Sequence, residues 1–330
     1  MIKNQRINKY DNLKGIGIFL IVLGHMLFLT GHRSVEFLHD FIYIIHLPIF
    51  FFVAGYFSKI GPDEPIKAFK RLIIPYIIFN ILFKIFMIII GNPDNNVLFL
   101  TPTYALWFLS ALFLMKMVLP IYDRLKHPIA IAIIIALGLG FLDFTSYFGF
   151  TRFIAYTPIF LIGFYFNQIK ENIEENYKSI SRLFNNRIIM ILFTLLVIIL
   201  CAFVALKFPF KVINFTINYG NNFDLIRRAI VLMLGIVSTL IFNHYVSNRK
   251  SIFTKFGKNS LAVYVLHVYI IKIFHLIFNH IKVQSGLLYI IFAIISTFVI
   301  VFLLSRDFIS IYLKKLFDLV SNFLVRENKT

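Results

Sequence analysis

The sequence predicts an all-α polytopic membrane protein with a single domain over residues 1–330. Its residues are 59% hydrophobic and only 15% charged, and its mean hydropathy is +0.84. Soluble domains have about 45–50% apolar and about 25% charged residues. Ten apolar segments are typical of membrane-spanning helices. These segments are residues 13–31, 41–58, 72–91, 104–122, 129–145, 152–167, 188–206, 226–245, 259–277 and 286–304.

The lengths of these segments support the predicted fold. Most contain the roughly 17–25 residues that a helix needs to cross about 30 Å of hydrocarbon. The fifth and sixth segments are marginal, so a hairpin buried in the bundle is the alternative there. After the last span, residues 305–330 combine helically spaced apolar residues with several lysines. This pattern indicates a short amphipathic helix on the inner membrane surface.

The distribution of the net charge of +18 predicts the orientation. If the N-terminus lies inside, 23 lysines and arginines fall in inner segments, seven fall in outer segments and three lie within spans. Inner loops of membrane proteins carry the excess of Lys and Arg, so both termini are expected in the cytoplasm. The basic excess is therefore mainly a topology signal, and we expect a multi-pass protein of the cell membrane that does not bind nucleic acid.

The first span carries ionisable residues on one face. At about 100° per residue, the eleven-residue offset between Lys14 and His25 leaves a remainder of about 20°, so their side chains share a face about 16 Å apart along the axis. Asp11 precedes Lys14 by three residues and falls near the same face. An ionisable side chain at membrane depth marks a functional site by default. We expect His25 to be a general base; the alternative is a histidine that only bonds neighbouring helices together.

The second span predicts another histidine at matching depth. His46 lies about five residues below the outer end of its span, and His25 lies about six residues below the outer end of the first. The two imidazoles are expected side by side on antiparallel helices, with His46 or Asp11 assisting His25 in catalysis. Two histidines do not make a metal site, and Cys201 is the only cysteine. No metal is therefore expected.

Basic residues at the predicted inner face are candidates for binding an anionic cofactor. One inner loop contains Lys67, Lys70 and Arg71, and the last inner loop ends at Lys258. Together with Lys14, these side chains suit a phosphate clamp at the mouth of a cavity. The positive-inside bias alone would also account for them.

Polar and aromatic residues of later spans are candidates for lining a substrate cavity. Ser260, Tyr264 and His267 follow i, i+4, i+7 spacing and form a polar stripe in the ninth span. Trp107 and Arg152 lie near the outer ends of the fourth and sixth spans. For Trp107 the alternative is an interfacial anchor, and for Arg152 it is a cation that extends outward to water.

Taken together, these segments resemble the membrane acyltransferase-3 family, most closely its sugar O-acetyltransferases of the fucose-4-O-acetylase type. The resemblance covers essentially the whole chain and its ten-span layout. The segments that carry it, in the family's order, are DNLKGIGIFLIVLGH (11–25), IIHLPIFFFVAGY (44–56), FKRLIIPY (69–76), LWFLSALF (106–113) and GKNSLAVYVLH (257–267).

The resemblance implies an activity and a donor. An acetyl or other short acyl group would pass from cytoplasmic acetyl-CoA, or another acyl-CoA, to a hydroxyl of a cell-surface sugar, a polysaccharide or its lipid-linked precursor. It also implies that Lys14 and His25 are required. Many members have arginine where this chain has Lys14, so the charge is kept but the bidentate fork is lost. The paired arginines of some members are matched only by Lys67, Lys70 and Arg71.

A transporter or exporter of a polysaccharide or lipid-linked sugar, without acyl transfer, is the alternative function. Many spans, aromatic stripes and buried polar groups fit that class too. A transporter does not need a histidine and an inner-face cation on one stripe, and the sequence shows no internal repeat of the kind many transporters have. We therefore expect acyl transfer, with acyl-CoA, a sugar acceptor and the lipid bilayer as partners.

Overall fold

The computed structural model describes residues 7–27, 32–92, 101–142, 147–215, 223–278 and 285–325. These residues form helices and no strand, which confirms the predicted all-α fold. The α-helices are α1 (Asn8–Leu27), α2 (Arg33–Tyr56), α3 (Glu64–Ala68), α4 (Ile74–Ile89), α5 (Trp107–Tyr122), α6 (Pro128–Gly138), α7 (Phe150–Phe164), α8 (Phe166–Asn176), α9 (Lys178–Asn185), α10 (Arg187–Lys207), α11 (Phe210–Ile213), α12 (Phe223–Tyr245), α13 (Ile252–Lys258), α14 (Ser260–Phe278), α15 (Gly286–Leu304) and α16 (Asp307–Leu324).

Within the described residues, eight helical segments are long and apolar enough to cross a membrane. They are built on α2, α3 with α4, α5, α7, α10, α12, α14 and α15. The other two predicted spans correspond to α1 and α6. Helix α1 has 20 residues but includes charged side chains, and the apolar segment Pro128–Phe141 is shorter than the roughly 17 residues of a full span. The count of ten spans and the cytoplasmic termini stay predictions.

Helix α1 lies inside the bundle. It packs against α2, α12, α13, α14 and α15, and Ile18, Val22 and Met26 are fully buried. The side chains of α1 therefore contact protein on most of its circumference, as expected for a helix with ionisable residues at membrane depth.

Glycine allows two pairs of helices to approach closely. A Cβ atom at Gly55 of α2 would overlap the carbonyl oxygen of Phe160 in α7. A Cβ atom at Gly257 of α13 would overlap the carbonyl oxygen of Asp11 in α1. Small residues at such crossings allow backbones to come into contact in membrane bundles. These contacts bring α7 against α2, and α13 against the N-terminal end of α1.

Asn12 ties α1 to the segment that leads into α13. Its Nδ2 donates to the carbonyl oxygens of Ser247 at 2.9 Å and Arg249 at 2.8 Å. Its Oδ1 accepts from the hydroxyls of Ser251 at 2.8 Å and Thr254 at 2.7 Å. A buried amide that makes four hydrogen bonds has satisfied its donors and acceptors. The position of α13 on α1 is thus specified by polar contacts as well as by shape.

Candidate active site

A cavity of about 190 Å³ lies among α1, α2, α5, α7, α11 and α14. The first turns of α5 and α7 contribute to its wall, which places it toward the predicted outer side of the bundle. Its described lining combines imidazoles and a guanidinium with aromatic and aliphatic side chains, and none of these lining residues is acidic. Among them are His25, Tyr43, His46, Tyr104, Trp107 and Arg152.

His25 projects from α1 into this cavity. Its ring centroid lies 5.1 Å from that of Tyr104, 5.4 Å from that of His267 and 6.3 Å from that of Tyr43. The side chain is partly exposed, and no described residue hydrogen-bonds to its ring. The imidazole nitrogens are therefore available to a substrate. Within the described residues, no hydrogen bond of this histidine joins two helices.

His46 reaches the same cavity from α2, so the two histidines of matching depth line one cavity. Its Nδ1 lies 2.8 Å from the carbonyl oxygen of Ile42. A carbonyl only accepts, so Nδ1 carries the proton and donates, and Nε2 of the neutral ring is an acceptor. In this tautomer His46 suits accepting a hydrogen bond from a hydroxyl, and it has no N–H left to polarise a carbonyl.

His267 lies behind His25 on α14. It is fully buried, and its Nδ1 lies 3.0 Å from the carbonyl oxygen of Val263, to which it donates. Its Nε2 is buried without a hydrogen-bond partner among the described residues. Buried polar atoms in native structures are nearly always paired. An unpaired Nε2 beside His25 therefore calls for a functional explanation.

The other two residues of the α14 stripe have different surroundings. Tyr264 lines the cavity, and its hydroxyl donates to the carbonyl oxygen of Ala105. Ser260 lies about 10 Å along the helix axis from His267, since seven residues separate them, and it is not among the residues that line the cavity. The structure thus brings Tyr264 and His267 to the site but leaves Ser260 outside it.

Trp107 and Arg152 form a stacked pair in the cavity wall. The guanidinium carbon of Arg152 lies 4.3 Å from the centroid of the Trp107 ring. Trp107 is only 9% exposed, so it does not sit at the surface as an interfacial anchor would. Arg152 packs over the indole ring and is partly exposed. Both residues line the cavity.

The family model for an acyltransferase domain matches residues 7–306. The chain belongs to the membrane acyltransferase-3 family. No curated protein and no solved structure matches it. Members of this family are acyltransferases, which favours acyl transfer over transport without chemistry. The sugar O-acetylase subgroup stays a prediction.

The site of this acyltransferase includes two tyrosines that the sequence analysis missed. Tyr43 lies three residues before His46 on α2, and the two rings contact edge to face with centroids 4.6 Å apart. Tyr104 precedes α5 and has a φ of 50°, which non-glycine residues seldom adopt and which is often retained at functional sites. The i, i+3 spacing from His46 was a usable signal for Tyr43. Nothing in the local sequence indicated the backbone of Tyr104.

Lys14 and Asp11 occupy the other end of α1. Lys14 Nζ lies 2.9 Å from Asp11 Oδ1, and Asp11 is buried. Along the helix, Lys14 is about 16 Å and Asp11 about 21 Å from His25, so the structure does not bring Asp11 to His25. On the face between them, Ile18 is fully buried and Ile21 lines the cavity.

The remaining cations of the predicted inner face lie outside the cavity around His25. Lys67 is exposed and pairs locally with Asp63 at 3.7 Å and Glu64 at 3.4 Å. Lys70 and Arg71 lie in the π-helical turn that joins α3 to α4, a feature that is frequent at functional sites. The structure therefore leaves Lys67 as the weakest candidate of this loop.

Two further lysines lie outside the cavity around His25. Lys258 is the exposed last residue of α13, the helix that packs on the N-terminal end of α1. Lys116 donates from Nζ to the Ser58 hydroxyl at 2.9 Å, just after the C-terminal end of α2. In the described part of the chain, no group of three or more His, Cys, Asp or Glu side chains is arranged to hold a metal ion.

Proposed function

We propose that this acyltransferase transfers an acetyl or other short acyl group from acyl-CoA to a hydroxyl of a sugar at the plasma membrane. The acceptor is a cell-surface sugar, a polysaccharide or its lipid-linked precursor. The observation that carries the proposal is the position of His25, whose unpaired imidazole faces a cavity lined by aromatic side chains. Such walls suit the faces of a sugar ring.

His25 acts as the general base. One of its ring nitrogens takes the proton of the acceptor hydroxyl while the hydroxyl oxygen forms a bond to the thioester carbonyl carbon. The C–S bond then breaks, and the imidazolium returns the proton to the thiolate that leaves as CoA. His25 thus returns to its starting protonation state after each cycle, and direct transfer needs no other nucleophile.

Other cavity residues fit the remaining requirements of the reaction. The oxyanion that forms at the thioester carbonyl needs hydrogen-bond donors. Tyr43 and Tyr104 carry hydroxyl groups in the lining of the same cavity, and we assign them this role. His46 presents an acceptor nitrogen, which suits a hydroxyl of the sugar.

The donor approaches from the inner face. Lys14, with Lys70, Arg71 and Lys258, would hold its phosphates there. The acyl end must then pass along the face of α1 to reach His25, and the buried side chain of Ile18 lies on this path. Binding of the donor therefore requires a rearrangement of Ile18 and its neighbours.

A release assay for CoA tests the proposal. The purified protein in detergent receives acetyl-CoA and a pool of sugar acceptors, and free thiol is measured over time. Cys201 is the only cysteine and is buried, so the protein adds little to the signal. We expect His25→Ala to lower kcat by about 10²- to 10⁴-fold, the range for loss of a general base.

The matched control is His244→Ala, which removes an exposed histidine at the inner end of α12. It should keep full activity. Full activity of His25→Ala would refute the mechanism, and release of no CoA by the wild type with any acceptor would refute the proposed function.

A further inference from the structure

The guanidinium of Arg152 lies in the cavity wall and has no counter-ion among the described residues. No carboxylate of the described residues pairs with it, and the described lining contains no acidic side chain. Stacking on Trp107 stabilises the cation only in part. Cations in such surroundings are normally paired with an anion. Arg152 is partly exposed, and a ligand that enters the cavity can supply the negative charge that the described lining does not provide.

The geometry of the stack leaves Arg152 able to bind that ligand. A guanidinium whose carbon lies over an indole ring keeps its N–H groups for other partners. The fork of these donors matches phosphate and carboxylate oxygens in a bidentate manner. Because the indole ring restricts the side chain, less conformational entropy is lost when such a pair forms.

Further cations lie around the same end of the bundle. Lys211 follows Phe210, a residue of the cavity lining, on α11. Arg228 lies with its guanidinium carbon 5.6 Å from the ring of Phe215, which contacts the cavity region through Tyr156. Asp224, which pairs with Arg227 at 3.0 Å, offsets part of this charge, and a positive charge in excess favours an anionic over a neutral ligand.

From these observations we propose that the acceptor is an anionic sugar, whose phosphate or carboxylate group binds Arg152 while a hydroxyl of the same sugar reaches His25. This inference rests on the proposed function and names the class of its acceptor. The cavity volume of about 190 Å³ is below the roughly 300–1,000 Å³ of pockets for drug-sized ligands. It therefore suits one sugar unit with its acidic group.

Trp107 can report ligand binding at this site. It is the only tryptophan of the chain, so all intrinsic tryptophan fluorescence comes from the residue on which Arg152 stacks. The probes are glucose, glucose 1-phosphate, glucuronate and inorganic phosphate, each added to the purified protein without acyl donor. The phosphate and carboxylate probes test the two sources of negative charge separately, and inorganic phosphate tests the anion without a sugar.

We expect glucose 1-phosphate or glucuronate to change the fluorescence with saturation, and to bind about tenfold or more tightly than glucose, because a charged hydrogen-bonded pair is added. Inorganic phosphate should compete with glucose 1-phosphate. Arg152→Gln should abolish the preference for the anionic probes, and Arg152→Lys should retain part of it. The matched control is Arg306→Gln, which removes an arginine stacked 4.1 Å from the Phe302 ring outside the cavity and should bind as the wild type does.

Several outcomes would overturn the inference. Equal binding of glucose and its anionic forms by the wild type would do so, and this comparison does not depend on any variant being folded. A fluorescence change caused by CoA that competes with glucose 1-phosphate would assign Arg152 to the donor instead. An equal loss of kcat on neutral and anionic acceptors in Arg152→Gln would assign it to the oxyanion. Because binding is measured without acyl transfer, the fluorescence result can be interpreted even if the CoA-release assay fails. Failure of the proposed function and failure of this inference can therefore be told apart.

Discussion

The imidazole of His267 lies next to that of His25, with ring centroids 5.4 Å apart, and its Nδ1 is already bonded to the Val263 carbonyl. Nε2 is then the only nitrogen of His267 that can interact with His25, and it is an acceptor. The two rings are not hydrogen-bonded in the structure, but a hydrogen bond formed from the protonated nitrogen of His25 to this atom would fix the tautomer of His25, with the lone pair of the other nitrogen toward the cavity. This is the role that an orienting group has beside a catalytic histidine.

The first prediction is that His267 is a positioning residue. His267→Ala should lower kcat about 10- to 100-fold, as loss of an orienting partner does at metal-bound histidines, with little change in KM. His267→Gln restores an acceptor oxygen and should recover part of the activity. In the double variant with His25→Ala, no further loss is expected, because both changes remove one function. Additive losses in this double variant would show that His267 acts independently.

Part of the lining of this cavity could be predicted from the sequence. The helical offset and matched depth of His25 and His46 predicted two imidazoles in one place, and both line the cavity. Tyr104 was not predictable, since its contact with His25 depends on a positive φ in the connection before α5. The sequence also did not determine that Arg152 stacks on Trp107. An arginine at the end of a span can point either into the bundle or outward to water.

The second prediction concerns Lys14. If its ammonium holds a phosphate of the donor, Lys14→Ala should raise KM for acetyl-CoA roughly tenfold, the effect of one lost charged hydrogen bond. Lys14→Arg keeps the charge and should stay near the wild type. The control is Lys170→Ala, which removes an exposed lysine paired with Glu174 on α8. The CoA-release assay at varied donor concentration measures the effect, and an unchanged KM in Lys14→Ala would contradict it.

Predicting the helices was easier than predicting how they pack. Composition indicates spans because the hydrocarbon core excludes charge from almost any helix, and the positive-inside count predicts their orientation. The pairing of α13 with the N-terminal end of α1 depends on Gly257 and Asn12, two residues far apart in the chain. A single sequence does not show which residue a glycine faces, so this contact could not be predicted.

The third prediction compares two glycines in helices. Gly257→Ala places a methyl group against the Asp11 carbonyl and must push α13 away from α1, so the midpoint of thermal unfolding should fall. Gly138→Ala in α6 adds a methyl group with nothing within 4 Å. There the gain in helix propensity should leave the midpoint unchanged or raise it slightly. Thermal unfolding in detergent, followed by circular dichroism, measures both, and equal midpoints would contradict the tight contact.

The last prediction separates hydrogen-bond polarity from shape at Asn12. Asn12→Asp keeps the size of the side chain and the oxygen that accepts from Ser251 and Thr254. It replaces the Nδ2 donor by a second oxygen that faces the carbonyls of Ser247 and Arg249. Buried acceptors without donors cost about 1–3 kcal/mol each, and more when charged.

We therefore expect Asn12→Asp to lower the free energy of unfolding by at least about 2 kcal/mol. Denaturant titration measures this effect. The control is Asn185→Asp, which changes an exposed asparagine at the end of α9. Because α13 carries Lys258, displacement of this helix should also raise KM for acetyl-CoA while the binding of anionic sugars reported by Trp107 stays unchanged. A variant as stable as the wild type would mean that α13 is held by its backbone contact with α1 alone.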